Sequence, residues 1–136
     1  MLQTLIDTDI LSEILKQRNA VVTQKAVNYL AQFSRFSISA MTRYEVMRGL
    51  LDKGASRQVI QFESFCQHNV ILPVEDAVLV KAAEIWAFGR RAGDVGNDAD
   101  LIIAATALHH GLSLTTGNMA HFRWIPSLQL ENWRMA

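Results

Sequence analysis

Short strand-like runs alternate with helix-patterned segments along the whole chain, and that order leaves few folds open. "LQTLID" and "FSISAM" read as strands, "VILPV" (Val70 to Val74) is a clearer one, and "LSLTT" and "LQLEN" follow late. Between the first two, "TDILSEILKQ" reads as a helix with Ile10, Leu11, Ile14 and Leu15 inward and Thr8 or Asp9 as its cap. "NAVVTQKAVNYLAQF" has Val22, Ala26, Tyr29, Leu30 and Phe33 at helical spacing. "TRYEVMRGLLDKG" opens on Thr42 and Glu45, a capping-box pair, so a helix is expected from there. "RQVIQFESFCQHN" is a further helix, and residues 76 to 91 form a long one ending in Arg90 and Arg91, with Gly93 as the stop. The expectation is an α/β domain with a mainly parallel sheet covered on both faces. No repeat, low-complexity tract or linker divides the 136 residues, so residues 1–136 are read as one domain.

Composition excludes several classes. Basic and acidic residues number 13 each, so a nucleic acid would be met by a local basic patch and not by a global field. A single cysteine, Cys66, rules out a disulfide framework and a cysteine-rich zinc site, and its expected role is a small core residue. Asp7 follows only six residues, which leaves no room for the apolar stretch of a signal peptide, and no window approaches a membrane span. A cytoplasmic chain is expected.

The acids are the informative residues. In parallel sheets, ligand sites gather at the carboxyl ends of strands, where the next helix begins. Asp7 ends the first strand, Glu45 falls in the first turn after the second, and Asn118 directly follows "LSLTT". In "GNDADLIIAATAL", Asp98 and Asp100 stand at the mouth of a segment that is otherwise almost pure core. Each acid alone has a plainer reading as a helix cap, and Asn97 with Asp100 resembles a capping box. Three such acids at the same kind of location point further. Converging carboxylates repel and raise one another's pKa, and a cation relieves that repulsion. An all-oxygen site suits Mg²⁺, or Mn²⁺ in its place.

Other chemistries leave little trace. There is no phosphate-binding glycine loop, no H-E-x-x-H and no nucleophile elbow. His109 and His110 are adjacent and point to different sides of a helix, which makes a poor metal pair. Trp86, Phe88, Trp124 and Trp133 are read as core. His121 is read as a surface residue beside Phe122, with a neutral metal ligand as the alternative. "LIDTD" and "AGDVGND" resemble the metal motifs of haloacid-dehalogenase-like phosphatases, the alternative enzyme reading. In that family the second motif follows a strand; here Gly93 and Asp94 follow the basic end of a helix, and Ile10 and Leu11 replace the usual Gly-Thr.

The fuller resemblance is to the PIN-domain family, and within it to VapC-type toxins of toxin–antitoxin pairs. It covers essentially the whole chain. "LIDTDILSEIL" is similar to the family's opening strand and acid, and "SISAMTRYEVMRGL" to its Thr-x-x-Glu block. "NDADLIIAATALHHGLSLTTGNMAHF" is similar to the central signature, and "IPSLQLENW" to the closing strand. The resemblance implies a three-layer α/β/α sandwich and a metal-binding acid set of Asp7, Glu45 and Asp100. Asp98 and Asp100 point about 200° apart on a helix, so both cannot aim at one ion. The family pattern selects Asp100, leaving Asp98 as a cap or an outer acid.

Two positions depart from the pattern: Asp9 replaces a common Asn, and Asn118 stands where many members carry a fourth acid. Asp9 becomes a possible outer acid, and Asn118 argues against a second tightly held metal. The implied activity is that of a Mg²⁺-dependent endoribonuclease, with RNA as substrate, a VapB-type antitoxin as partner, and a homodimer. A non-catalytic interaction module on the same fold is the other alternative, which the intact acids oppose. Arg43, Arg48, Arg90 and Arg91 are candidate phosphate contacts, each with a plainer reading as a solvated charge. The antitoxin surface is expected across the helices at residues 10–33 and 43–51, using Ile14, Leu15, Val22, Tyr29, Leu30, Phe33, Tyr44, Met47 and Leu50.

Overall fold

The computed structural model describes residues 1–94 and 96–136. Five short strands form one sheet: β1 (Thr4–Ile6), β2 (Ser37–Ser39), β3 (Val70–Leu72), β4 (Ser113–Thr115) and β5 (Leu130–Glu131). Their spatial order is β3-β2-β1-β4-β5, and every neighbouring pair is parallel. Parallel pairing forces each connection to cross a face of the sheet, which is why helices fill the intervals. These are α1 (Thr8–Lys16), α2 (Ala20–Phe33), α3 (Ala40–Asp52), α4 (Ser56–His68), α5 (Asp76–Ala92), α6 (Asp98–His109) and the single turn α7 (Met119–Phe122).

Alternation along β1 divides the interior. Leu5 faces Val78, Ala82, Ile85, Ile103 and Leu114, in the layer built by α5, α6 and α7. Ile6 faces the opposite cluster, with Ile10, Val22, Tyr29, Ile38 and Phe62. The expected three-layer sandwich is therefore present, with β1 buried at its centre. α6 has buried residues on all sides (Leu101, Ile103, Ala104, Ala105, Thr106 and Ala107), and its charged and exposed residues are confined to its ends, Asp98 and Asp100 at one and His109 at the other. Among the described residues no helix is long and apolar enough to cross a membrane.

Several expectations about helix starts and exposure are corrected. α1 is capped by Asp7 itself, whose carboxylate accepts the Thr8 N–H at 2.8 Å; neither Thr8 nor Asp9 is the cap. α3 starts at Ala40 and is capped by Ser39, so Thr42 and Glu45 do not form a capping box. Thr42 is fully buried inside the first turn instead, and Glu45 is free for other partners. Trp86 and Phe88 are exposed on α5 and do not belong to the core, whereas Trp133 does. Cys66 is half-buried, with Sγ 3.3 Å from Arg43 Nη1, and burial pushes its thiol pKa up.

Candidate active site

Parallel strands deliver their carboxyl ends to one edge, and three of them build the site. Ile6 pairs with Thr115, so the residues that follow, Asp7 and Thr116, emerge side by side. The Asp7 N–H donates to Thr115 O at 2.9 Å, which extends the ladder by one residue and fixes where the carboxylate leaves. Asp7 is 4% exposed. Its Oδ2 accepts from the Thr116 hydroxyl at 2.8 Å and its Oδ1 from the Thr8 N–H, which points along the positive end of α1.

Those two donors are neutral, and they do not offset the cost of burying the charge. The Asp7 pKa is pushed up from 3.8 to about 7, chiefly by burial and further by the nearby negative charges of Asp9 and Asp100. Asp9 and Asp100 thus both act on Asp7, although they lie on different helices.

Asp100 sits in the first turn of α6. The Asn97 side chain caps that turn by accepting the Asp100 N–H at 2.8 Å, and its amide donates to Asp100 Oδ2 at 3.0 Å. The capping relation read between Asn97 and Asp100 is present, and it turns the carboxylate toward the β4 edge. There it meets His121 of α7, whose Nδ1 lies 3.2 Å from Asp100 Oδ2. His121 is exposed, as the sequence implied, but its ring reaches the acid cluster.

Asp98 lies elsewhere. It lines an apolar cleft between α5 and α6, with Leu79, Ala82, Trp86, Leu101 and Ile102, and none of Asp7, Glu45 and Asp100 borders that cleft. The sequence argument that Asp98 and Asp100 diverge holds.

Glu45 reaches the site from α3 through Thr8. The Thr8 hydroxyl donates to Glu45 Oε1 at 2.8 Å and lies 3.1 Å from the buried Thr42 hydroxyl. Asn118 caps no amide with its side chain, and its own N–H donates to the Thr116 hydroxyl at 3.0 Å. Asp9 Oδ2 accepts the Gly117 N–H at 2.9 Å and pairs with Arg134 at 3.4 Å. Among the described residues, no three His, Cys, Asp or Glu side chains already stand close enough to hold an ion together. Each acid is turned to a local partner: Asp7 to Thr116, Glu45 to Thr8, and Asp100 to Asn97 and His121.

The donor set nevertheless suits a hard divalent cation. It is all oxygen, and it carries several negative charges around a buried carboxylate.

The candidate arginines are not part of this cluster. Arg43 pairs with Glu63 on α4 at 2.8 Å, Arg48 lies over the Tyr44 ring, and Arg90 lies over the Trp86 ring. Arg91 is exposed at the end of α5. Sequence reasoning missed Thr8, Thr116 and Arg134. Thr8 stands between two acids in "DTD", and a hydroxyl next to a buried acid was the available signal; Thr116, in "LTTGN", has no acid beside it in sequence and meets Asp7 only through the fold. Arg134 left none, being 125 residues from Asp9 (134 − 9).

Residues 4–123 match the family described as PIN domain. The chain belongs to the PIN domain family. Among curated relatives it is 25% identical to the tRNA(fMet)-specific endonuclease VapC of Salmonella typhimurium, covering 98% of this chain and 99% of the relative. It is 28% identical to ribonuclease VapC1 of Haemophilus influenzae, covering 95% and 96%. Among solved structures, DNA-bound VapBC from Salmonella typhimurium superposes with a TM-score of 0.85 at 25% identity, covering 98% and 99%. VapBC2 of Rickettsia felis, bound to a promoter DNA fragment, gives 0.84 at 22%, covering 96% and 98%, a likeness of fold. The phosphatase reading loses its remaining support in the geometry: Gly93 is the left-handed cap of α5, so Gly93 and Asp94 end a helix and not a strand.

Proposed function

We propose that this PIN domain is the toxin of a VapBC-type pair, a Mg²⁺-dependent endoribonuclease that acts in the cytoplasm and is silenced by a cognate antitoxin. The observation that carries this reading is the buried Asp7 carboxylate, held at the end of β1 within electrostatic reach of Asp100, in a chain whose full-length relatives bear ribonuclease names. Asp7 and Asp100 would hold the ion, and Glu45 would join them directly or through a water after leaving Thr8. When bound, the ion supplies an activated water for in-line attack on a phosphodiester and stabilises the charge that develops. The chain's own part is orientation. Thr116 and the Thr8 N–H fix the Asp7 carboxylate, Asn97 fixes Asp100, and the uncut α6 gives that acid a rigid support.

Two tests separate this from its rivals. Purified protein is expected to cleave a structured RNA with Mg²⁺, to stop when EDTA is added, and to resume when Mg²⁺ is restored. Metal-dependent release of phosphate from a small phosphomonoester, without RNA cleavage, would support the phosphatase, and no activity at all the interaction module. Asp98→Asn is expected to keep cleavage within about threefold of wild type, since screened charges outside the cluster contribute little.

Metal stoichiometry follows from Asn118. It offers a neutral carbonyl oxygen where an acid would help two ions share a site. One Mn²⁺ is expected to bind firmly without RNA and a second only weakly, and Asn118→Asp is expected to tighten the second. Calorimetric titration of both proteins decides it; two equally tight sites in wild type would contradict the argument.

We infer an antitoxin surface from the exposed apolar side chains. Val22 and Tyr29 are fully buried and unavailable. A groove of ≈ 440 Å³ runs between α1, α2 and α4, lined by Leu15, Val27, Leu30, Phe36 and Phe65 among others. The second wall of this groove is α4, and residues 43–51 do not line it. Leu15, Val27 and Leu30 are exposed there, which suits an amphipathic partner helix. Val27→Asp is expected to weaken antitoxin binding about tenfold or more while leaving cleavage intact, measured by titration with the antitoxin from the neighbouring gene.

A further inference from the structure

We propose that Arg134, carried by the C-terminal tail, is a positioning residue that holds the Asp9 carboxylate away from the metal centre and clamped to the turn after β4. The proposal rests on the metal-centre reading above. The tail is anchored before it reaches the site. β5 pairs with β4, and Trp133 is 2% exposed, with its ring 5.5 Å from Tyr29 and 6.5 Å from Phe36. Asn132 Oδ1 accepts the Arg134 N–H at 3.0 Å, and Lys25 Nζ donates to Met135 O. Arg134 therefore emerges at a fixed point.

From there its guanidinium spans two acids of α1. Nη1 lies 3.4 Å from Asp9 Oδ2 and Nε 3.1 Å from Glu13 Oε2. A planar fork can span both carboxylates, whereas an ammonium is a single point charge. The same Asp9 oxygen accepts the Gly117 N–H at 2.9 Å. Gly117 lies between Thr116, which donates to Asp7, and Asn118. One carboxylate thus joins the tail, α1 and the turn that orients the Asp7 partner.

Gly117 records how close this approach is. A Cβ there would fall 2.6 Å from Asp9 Oδ2 and into the Arg134 guanidinium. Its φ is not positive, so space and not backbone conformation requires the glycine. Asp9 shares the first turn of α1 with Asp7's partner Thr8, and released from Arg134 it could turn toward an ion held by Asp7. Because Arg134 is already shared between two carboxylates, its role is distinct from that of a phosphate contact.

The experiment is calorimetric Mn²⁺ titration of the RNA-free protein, with hydrogen exchange of the Gly117 amide followed by NMR without metal. Arg134→Met is expected to bind Mn²⁺ about tenfold more tightly, as a freed carboxylate joins the ion, and to exchange the Gly117 amide faster. Gly117→Ala, which displaces the guanidinium by a different route, is expected to show the same tighter binding. Asp9→Asn should stay within about twofold of wild type, and Arg134→Met combined with Asp9→Asn should return to it. Unchanged or weaker Mn²⁺ binding in Arg134→Met, beside normal uptake by wild type, overturns the Arg134 proposal alone. A wild-type protein that takes up no Mn²⁺ overturns the metal-centre reading beneath it.

Discussion

Replacing Asp7 with Asn is expected to lower RNA cleavage about a thousandfold or more and, without metal at pH 8, to raise the melting temperature. The first effect follows from removing the only buried carboxylate of the acid set. The second follows from its pKa, raised from 3.8 to about 7 in the fold. A carboxyl whose folded pKa lies above its unfolded value binds more protons in the folded state. Its penalty is absent below pH 4, grows as pH rises, and is complete above pH 7. A tenfold displacement of a proton equilibrium is about 1.4 kcal/mol, so the penalty at pH 8 is at most about 4 kcal/mol. Asn removes it, and the variant should be stabilised at pH 8 but little changed at pH 4. Mg²⁺ should stabilise wild type more at pH 8 than at pH 6, because below pH 7 a proton must leave Asp7 first. Asp100→Asn should lose cleavage comparably. Thermal melts across pH with parallel cleavage assays read all of these. Full cleavage by either variant in Mg²⁺ would remove that residue from the site.

Trp133→Ala is expected to cost about 3–5 kcal/mol, a large part of the 5–15 kcal/mol that holds a typical domain together. Trp133 is among the largest fully buried side chains and packs against Tyr29 and Phe36. Truncating it leaves a cavity that rigid neighbours cannot fill, and it releases the tail that carries Arg134. A loss of roughly 10–20 °C in melting temperature is expected, with Trp133→Phe losing much less. Thermal unfolding monitored by circular dichroism checks it; a change under 1 °C would mean that the tail is peripheral.

These effects differ in how far the sequence foretold them. Asp7 was legible because a buried strand ends directly on it, and α6 because its apolar run has no polar face. The start of α3 was not. Ser39 and Thr42 both offer a hydroxyl, and only the tertiary contact of Thr42 with Thr8 decides which one caps. α7 spans four residues, too few for a period to show, so the approach of His121 to Asp100 was hidden. The exposure of Trp86 and Phe88 depends on which face of α5 meets α6, and apolar character alone does not specify it. Arg134 depends on where a tail lands after five strands are paired, which no local pattern encodes.

The central claim is that Asp7 and Asp100, with Glu45, hold a divalent ion at the end of β1. An anomalous difference map from crystals soaked in Mn²⁺ tests it most directly. The account predicts a peak about 2.1 Å from carboxylate oxygens of both Asp7 and Asp100, with Glu45 turned away from Thr8 toward the ion or its water. A map with no peak there, or with Mn²⁺ bound only at Asp98 in the cleft between α5 and α6, would contradict it.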